Sequence, residues 1–380
     1  MAKIAVVSES LKMGGTEVAI LALLRKLVDE NHKVTLYLIG KHGELIKRIP
    51  PGVKVKEVEF ISNKYRLIAD TSANISRYDL ISRLKRKIFM NRKKDLYEFL
   101  LKRCVKVEEE YDLVCDAFGY GRFTTVYAAL CLKGRKKALW FHDENLHWID
   151  KCEKYFKYFD KFFCVSTAVM SELKKKEKEI SDKCEVLHNF IEIDKIREKS
   201  EELIVTELKD GFNILTIARL EVQKGIDIAI ETAKILYDKN LNFNWYVIGD
   251  GSLKLELEER IKKMNLENNF VLLGLKSNPY PYLKKCNLYV QPSRHEGYPI
   301  TLVEARALFC TIVATNIPSI SEQIIDGKNG FLVNLSPLEF SRKIEEIMNN
   351  SNKTKKIMEY LKSDKIDFSS DFEKIKKLLE

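Results

Sequence analysis

The chain has 380 residues, more than the roughly 250 to 300 at which one hydrophobic core stops growing, so two domains are expected. With 45% apolar and 32% charged residues, 16 Gly and 8 Pro, it is neither collagen-like nor broadly disordered, and no run approaches the roughly 18 apolar residues that span a bilayer. The formal charge of +10 is concentrated: Ser62 to Lys106 holds thirteen basic and four acidic residues, a net +9.

Short β-branched runs alternate with helical-period segments from the first residue. Strands are expected at Ile4–Val7, Val34–Ile39, Val53–Val58, Leu113–Asp116, Ala138–Phe141 and Phe162–Val165, several as continuous apolar runs of the kind covered on both sheet faces. Between them, helices are expected at Glu17–Asp29, Asp79–Glu110, Thr124–Leu132 and Thr167–Glu177. From 191 to 210 the chain is charged and irregular and reads as a linker; then the rhythm restarts. Strands follow at Phe212–Ala218, Trp245–Ile248, Phe270–Leu273, Leu288–Gln291, Thr311–Ala314 and Gly330–Val333, with helices at Ile226–Tyr237, Lys254–Met264, Leu302–Leu308, Pro337–Asn349 and Thr354–Leu361. This is the βαβ rhythm of an α/β protein with two doubly wound parallel sheets, at 1–190 and 211–365, whose ligand crevices lie beyond the carboxyl ends of the strands. The last segment, 366–380, is a candidate helix returning to the first domain.

The eight cysteines lie at least eleven positions apart and mostly in apolar runs, which excludes a Cys-x-x-Cys knuckle and points to buried thiols in a reduced, cytoplasmic protein. The start, Met-Ala-Lys-Ile-Ala-Val-Val-Ser, reads as a strand without a signal-peptide core.

Three segments carry candidate chemistry. Gly14-Gly15 opens the first helix, where free amides and the helix dipole favour an anion; alone, it reads equally as a plain tight turn. It is neither Gly-x-Gly-x-x-Gly nor a P-loop. Arg219 and Lys224 stand five apart on the loop after the first strand of the second domain, a planar fork and a movable point charge suited to a diphosphate, or else two solvated cations. The sharpest signal is Pro292-Ser293-Arg294-His295-Glu296-Gly297-Tyr298-Pro299-Ile300-Thr301-Leu302-Val303-Glu304-Ala305. Glu296 falls on a loop and Glu304 in the next helix, placed to grip sugar or ribose hydroxyls, and the amides of Ile300, Thr301 and Leu302 would point at an anion.

In this order Ala218-Arg219-Leu220, Gln223-Lys224-Gly225, Gly249-Asp250-Gly251, Pro292 to Gly297, Glu304-Ala305 and Asp326 to Phe331 resemble the nucleotide-sugar half of the family-4 retaining glycosyltransferases. The first half resembles the family more loosely through Gly14-Gly15, Phe141-His142-Asp143 and Val165-Ser166. The resemblance implies a GT-B fold, two Rossmann-like domains facing across a cleft, and transfer of a hexosyl group from a nucleoside-diphosphate sugar, with a UDP-sugar favoured, to a glycan, lipid-linked or protein-linked acceptor with retention. It implies that Arg219 and Lys224 hold the diphosphate, Glu304 the ribose hydroxyls, and Glu296 the donor sugar near the reacting carbon. Gly15 would lend an amide to the phosphates, and His142 would line the acceptor side as the second catalytic candidate. The sequence departs from the family where Phe309 and Thr311 stand near the usual Gly and Pro, and where Ile317 to Glu322 lacks a common Gly-Gly.

No Asp-x-Asp is present, so neither a metal nor a cofactor is expected. Within the fold, a sugar-nucleotide epimerase or phosphorylase is the competing reading, and the Arg-Lys loop with Glu-x7-Glu favours a transferase. The basic segment 62–106 suits an anionic membrane surface, giving a cytoplasmic or peripheral location, or a solvated helix face. Nucleic acid is not an expected partner, because no recognition-helix, RNP or zinc-finger signature accompanies it.

Overall fold

The computed structural model describes residues 1–70, 96–203 and 205–380, and the chain forms two compact units, Met1–Ile191 with Phe368–Glu380, and Glu192–Asp367. The first unit is built on a seven-stranded parallel sheet of β1 (Lys3–Ser8), β2 (Lys33–Leu38), β3 (Lys54–Glu57), β4 (Glu110–Asp116), β5 (Lys133–Phe141), β6 (Lys161–Cys164) and β7 (Cys184–Val186), in the order β3-β2-β1-β4-β5-β6-β7. Ile4, Ala5, Val6 and Val7 are all fully buried, because the central strand is covered on both faces. Ile4 pairs with Val34 on one side and Leu113 on the other, so strand order reverses between β1 and β4 and opens a crevice at their carboxyl ends.

Two sequence expectations change here. The helix expected over 79–110 is seen at Leu96–Leu101, its 79–95 part lying outside the described residues, and Glu110 already begins β4. After Leu101 the chain turns extended, because Val105 donates its amide to Glu59 and Val107 to Cys131, while Cys104 bridges to Phe60. These long-range partners override a local helical pattern. The three-residue strand β7 has no periodicity of its own and is fixed by pairing with Phe162–Cys164.

The closing helix Ser369–Leu379 packs in the first unit. Phe372 and Ile375 join its core, Phe372 meets Phe190 edge-on at 6.0 Å, and Asp371 accepts from His188 Nδ1 at 2.9 Å and from Lys374 at 2.6 Å. Burial pushes the Asp371 carboxyl up, but the His188 and Lys374 bonds outweigh this and leave it below the usual range.

The second unit carries a six-stranded parallel sheet of β8 (Phe212–Ile217), β9 (Phe243–Ile248), β10 (Phe270–Gly274), β11 (Leu288–Gln291), β12 (Ile312–Thr315) and β13 (Phe331–Val333), in the order β10-β9-β8-β11-β12-β13. Alternation sorts its core: Ile214, Trp245, Val247, Leu288, Val290 and Val313 fill one face, and Leu215, Tyr246, Ile248, Tyr289, Ile312 and Ala314 the other. The segment expected as an irregular linker, 191–210, carries the helix Ile193–Lys199, held by Arg197 Nε donating to the Ala307 carbonyl at 3.3 Å. All eight cysteines are free thiols, seven buried and Cys286 half-buried. Among the described residues no helix is long and apolar enough to cross a membrane.

Because Phe372 is 1% exposed, Phe372→Ala is expected to cost about 3 to 5 kcal/mol, read by urea denaturation of the whole chain. A loss below about 1 kcal/mol would mean that the closing helix is not an integral part of the first unit.

Candidate functional site

In the second unit the order reverses between β8 and β11, so the loops leaving these strands, 218–225 and 292–299, meet at the crevice. Their approach is close enough to require glycine. Gly225 has φ +65°, and a Cβ there would lie 1.9 Å from the Pro292 carbonyl oxygen; Gly249 has φ +152°, with a Cβ 1.8 Å from the Ala218 carbonyl oxygen. Arg294 stitches the loops: its amide donates to Gln223 O at 2.8 Å, and its guanidinium forks onto Asp227 at 2.8 and 2.6 Å. Gln223 returns a bond to the His295 carbonyl at 3.0 Å.

Glu296 and Lys224 meet in this crevice. The ammonium donates to both carboxylate oxygens at 2.7 Å, and Oε1 also accepts from Ser293 Oγ at 2.7 Å and Gln291 Nε2 at 2.9 Å. The side chains are 16% and 7% exposed, so this ion pair is largely withdrawn from water. Arg219, exposed on the same loop as Lys224, has no side-chain hydrogen bond or ion pair among the described residues.

Beyond the second loop the helix Ile300–Ala307 begins without a side-chain cap. The Leu302 amide is engaged at 3.2 Å by the Pro299 carbonyl, which leaves the Ile300 and Thr301 amides without an internal acceptor among the described residues. One helical turn on, Glu304 is buried and accepts from the Tyr280 hydroxyl at 3.0 Å. Burial pushes its carboxyl up to about 7, against the Tyr280 bond, which favours the ionised form. After the helix, Phe309 takes φ +60°, so the left-handed turn that a glycine would make is kept without one.

In the first unit, Gly15 is the first residue of the helix Gly15–Asp29, after an uncapped Gly14. Thr16 Oγ1 lies 3.2 Å from the Tyr120 hydroxyl, and the Tyr120 ring stacks on His142 at 5.7 Å. Tyr120 has φ +59° between Gly119 at +65° and Gly121 at +56°, three left-handed residues in succession on the loop after β4. His142 is buried, and its Nε2 lies 2.8 Å from the Ala117 carbonyl oxygen, which can only accept. Nε2 therefore carries the proton and Nδ1 is the bare nitrogen, without a partner among the described residues. Burial holds the ring down at about 4, against the opposing effect of the Ala117 bond, so it is neutral at pH 7. Asp116, at the end of β4, accepts from Thr125 Oγ1 at 2.6 Å and the Gly119 amide at 3.2 Å, and burial raises it to about 6.

Within the second unit the structure thus brings Lys224 onto Glu296 and sets Arg219 on the same loop. Sequence reasoning missed Gln291, Tyr280 and Asp227 as partners of these groups. Gln291 sits at the end of an expected strand, where a polar side chain in a buried run is itself a signal. Tyr280 and Asp227 carry no such mark. Among the described residues no three His, Cys, Asp or Glu side chains are grouped to hold a metal ion.

Residues 13–195 match the model described as Glycosyltransferase Family 4, and residues 198–364 the one described as Glycosyl transferases group 1. An uncharacterized glycosyltransferase of Methanocaldococcus jannaschii is 34% identical over 178 residues, 45% of this chain and 44% of that protein. The Campylobacter jejuni N-acetylgalactosamine-N,N'-diacetylbacillosaminyl-diphospho-undecaprenol 4-alpha-N-acetylgalactosaminyltransferase is 32% identical over 185 residues, 46% of this chain and 49% of that protein. The chain spans about half the length of the curated relatives it matches. Among solved structures, a TarM variant of S. aureus in complex with fondaparinux, alpha-GlcNAc-glycerol and UDP shares the fold, with TM-score 0.73 at 16% identity over 100% of both chains. HepE of Anabaena in complex with UDP gives 0.70 at 18% identity over 99% of both.

Because the folded pKa of Glu304 lies above its ordinary value of 4.5, its contribution to stability is fully present below that value and is lost as pH rises through about 7. Stability of the wild type is expected to fall over this window and that of Glu304→Gln to fall less, read by denaturant titration at pH 5 and pH 8. Equal slopes would show that the carboxyl titrates normally.

Proposed function

Because this chain is a GT-B glycosyltransferase related to the family 4 and group 1 enzymes, we propose that it moves a hexosyl group from a nucleoside-diphosphate sugar, a UDP-sugar first, to an acceptor hydroxyl on a glycan, lipid-linked or protein-linked carrier, with retention. The observation that carries this reading is Lys224 bound to Glu296 at 2.7 Å, on the same loop as Arg219. One lysine then stands between a carboxylate for sugar hydroxyls and the diphosphate held by Arg219. The amides of Ile300 and Thr301 add donors for the phosphate, and Glu304 takes the ribose hydroxyls. The TarM variant and HepE are both solved in complex with UDP, which supports uracil as the base.

In the proposed step the acceptor oxygen attacks the anomeric carbon from the face that the diphosphate leaves. The new C–O bond forms as the bond to the phosphate oxygen breaks, and the acceptor proton passes to that leaving oxygen. Arg219 and Lys224 stabilise the charge that develops there, and no covalent nucleophile is assigned. His142, with its bare Nδ1 and low proton affinity, accepts a hydrogen bond from the acceptor hydroxyl and orients it rather than taking its proton.

Arg219→Ala and Lys224→Ala are each expected to weaken UDP binding about tenfold or more, the loss of a charge-assisted bond of about 1.5 to 3 kcal/mol. Glu304→Gln should weaken UDP as well, whereas Glu296→Gln should bind it normally and slow transfer from the intact donor. Calorimetry with UDP and a nucleotide-sugar turnover assay check both; unchanged affinity in the two cation variants overturns the assignment.

The acceptor is proposed to lie at an anionic membrane surface met by residues 62–106, of which 71–95 lie outside the described residues. At the described edges Leu67 and Val105 are 43% and 42% exposed beside Lys64, Arg66, Lys102, Arg103 and Lys106. Each basic residue near such a surface contributes about 1 kcal/mol. Sedimentation with anionic vesicles is expected to exceed that with neutral ones at low salt, and to fall when Arg83, Lys85, Arg86, Lys87, Arg92, Lys93 and Lys94 are changed to Gln. No preference for anionic vesicles makes the segment a solvated face.

A further inference from the structure

At the carboxyl end of β11 one buried side chain links the carboxylate of the crevice to the uncapped helix beyond it. Gln291 is 5% exposed and makes three side-chain hydrogen bonds. Its Oε1 accepts from the Tyr289 hydroxyl and from Thr301 Oγ1, each at 3.1 Å, and its Nε2 donates to Glu296 Oε1 at 2.9 Å. The amide cannot be turned round. The Lys224-paired carboxylate oxygen of Glu296 only accepts, so the NH2 must face it and the carbonyl is left for the two hydroxyls. Tyr289 stands two residues earlier on the same face of the strand, fully buried, so its position is set by the sheet.

The consequence falls on Glu296. Its Oε1 accepts from Gln291, Ser293 and Lys224, whereas among the described residues Oε2 accepts from Lys224 alone. A carboxylate oxygen has about two lone-pair directions, so the cradled oxygen is saturated and the other retains capacity. Resting on the reading that Glu296 meets the donor sugar, we propose that Gln291 is a positioning residue that fixes which Glu296 oxygen is offered to the donor hydroxyls and ties it, through Thr301, to the start of the phosphate-side helix. Gln291 touches no substrate in this assignment; it acts through Glu296. Its loss therefore lowers turnover more than nucleotide binding, because arginine, lysine and helix amides still hold the diphosphate.

The test uses Gln291→Glu, which keeps the acceptor for Tyr289 and Thr301 but turns a carboxylate toward Glu296, and Gln291→Met, which removes all three bonds. Thermal melts of the full chain establish folding, and Gln291→Glu keeps the proposal testable should Gln291→Met fail to fold. For Gln291→Glu the expected result is UDP affinity within about twofold of wild type and kcat on a nucleotide sugar reduced ten- to hundredfold, the order expected when a reacting group is misplaced. Lowering the pH should recover part of that loss, as one proton comes to be shared by the facing carboxylates, whereas the wild type shows no such gain. Placed on Glu296→Gln, Gln291→Glu should add little, because both act through one carboxylate. Equal losses of UDP affinity and kcat, an unchanged pH profile, or full additivity would overturn the positioning role. A Glu296→Gln variant with wild-type turnover would overturn the underlying reading of Glu296, and with it this inference, whatever Gln291 does.

Discussion

The largely buried pair between Lys224 and Glu296 is the constraint around which the second unit's crevice is organised. Two charges withdrawn from water cost several kcal/mol each, and their attraction offsets this only when the remaining hydrogen-bonding capacity is filled. Ser293 and Gln291 fill it on the carboxylate side. Such a pair adds little net stability over an apolar replacement, but it stores a cation and an anion at one point with fixed directions. That arrangement suits a ligand in which negative phosphates and neutral hydroxyls are neighbours. On the proposed reading the lysine divides its three protons between the carboxylate and the incoming phosphate, so donor binding leaves neither charge stranded.

The pair exists because two loops are forced together, and the forcing is done by backbone. Gly225 permits the 218–225 loop to approach the Pro292 carbonyl, Gly249 supports it from β9, and the Arg294–Asp227 fork locks the two loops from outside. The first unit follows the same logic at its own reversal point between β1 and β4. There Gly14-Gly15 opens a helix, and Gly119, Tyr120 and Gly121 form a left-handed run that sets the Tyr120 ring on His142. A tyrosine held at positive φ costs roughly 1 to 3 kcal/mol, so the surrounding contacts must over-determine it. Thr16 beneath its hydroxyl and His142 beneath its ring are two of those contacts.

How much of this was legible in the sequence follows from the range of each interaction. The parallel sheets were readable because Ile4 to Val7 and Leu288 to Val290 are continuous apolar runs, and burial on both faces leaves no other pattern. The Arg219–Lys224 loop and the Glu296–Glu304 spacing were readable because each lies within a dozen residues along the chain. What holds them was not. Tyr280 reaches Glu304 and Asp227 reaches Arg294 across separations of 24 and 67 residues, and no local periodicity announces either. The stretch after Leu101 shows the converse failure, a helical pattern cancelled by bonds to Glu59 and Cys131 that the sequence does not display. Phe309 is a milder case: the residue departs from glycine while the backbone keeps the left-handed turn.

The protonation states bear on the anion site proposed for these loops. Burial raises Glu304 to about 7, so near neutrality it exists as a mixture of acid and carboxylate rather than as a fixed negative charge. Glu296 is offset by Lys224 and Asp227 by Arg294, which leaves Arg219 as a cation without an ion pair among the described residues, on the same loop as Glu221. A fully ionised Glu304 would oppose an approaching diphosphate; a partly protonated one opposes it less and can ionise when ribose hydroxyls donate to it, since bonds to the charged form favour that form. The Tyr280 hydroxyl already supplies one such bond, so only part of the desolvation cost remains for the ligand to offset. On the proposed reading, nucleotide binding at this position is coupled to release of a proton: as pH rises through about 7 the carboxylate is already formed, the nucleotide need not drive its ionisation, and affinity gains from the hydroxyl bonds while losing from the added charge. The two effects oppose one another, which makes the affinity of a buried carboxylate for a phosphorylated sugar less sensitive to pH than either effect alone.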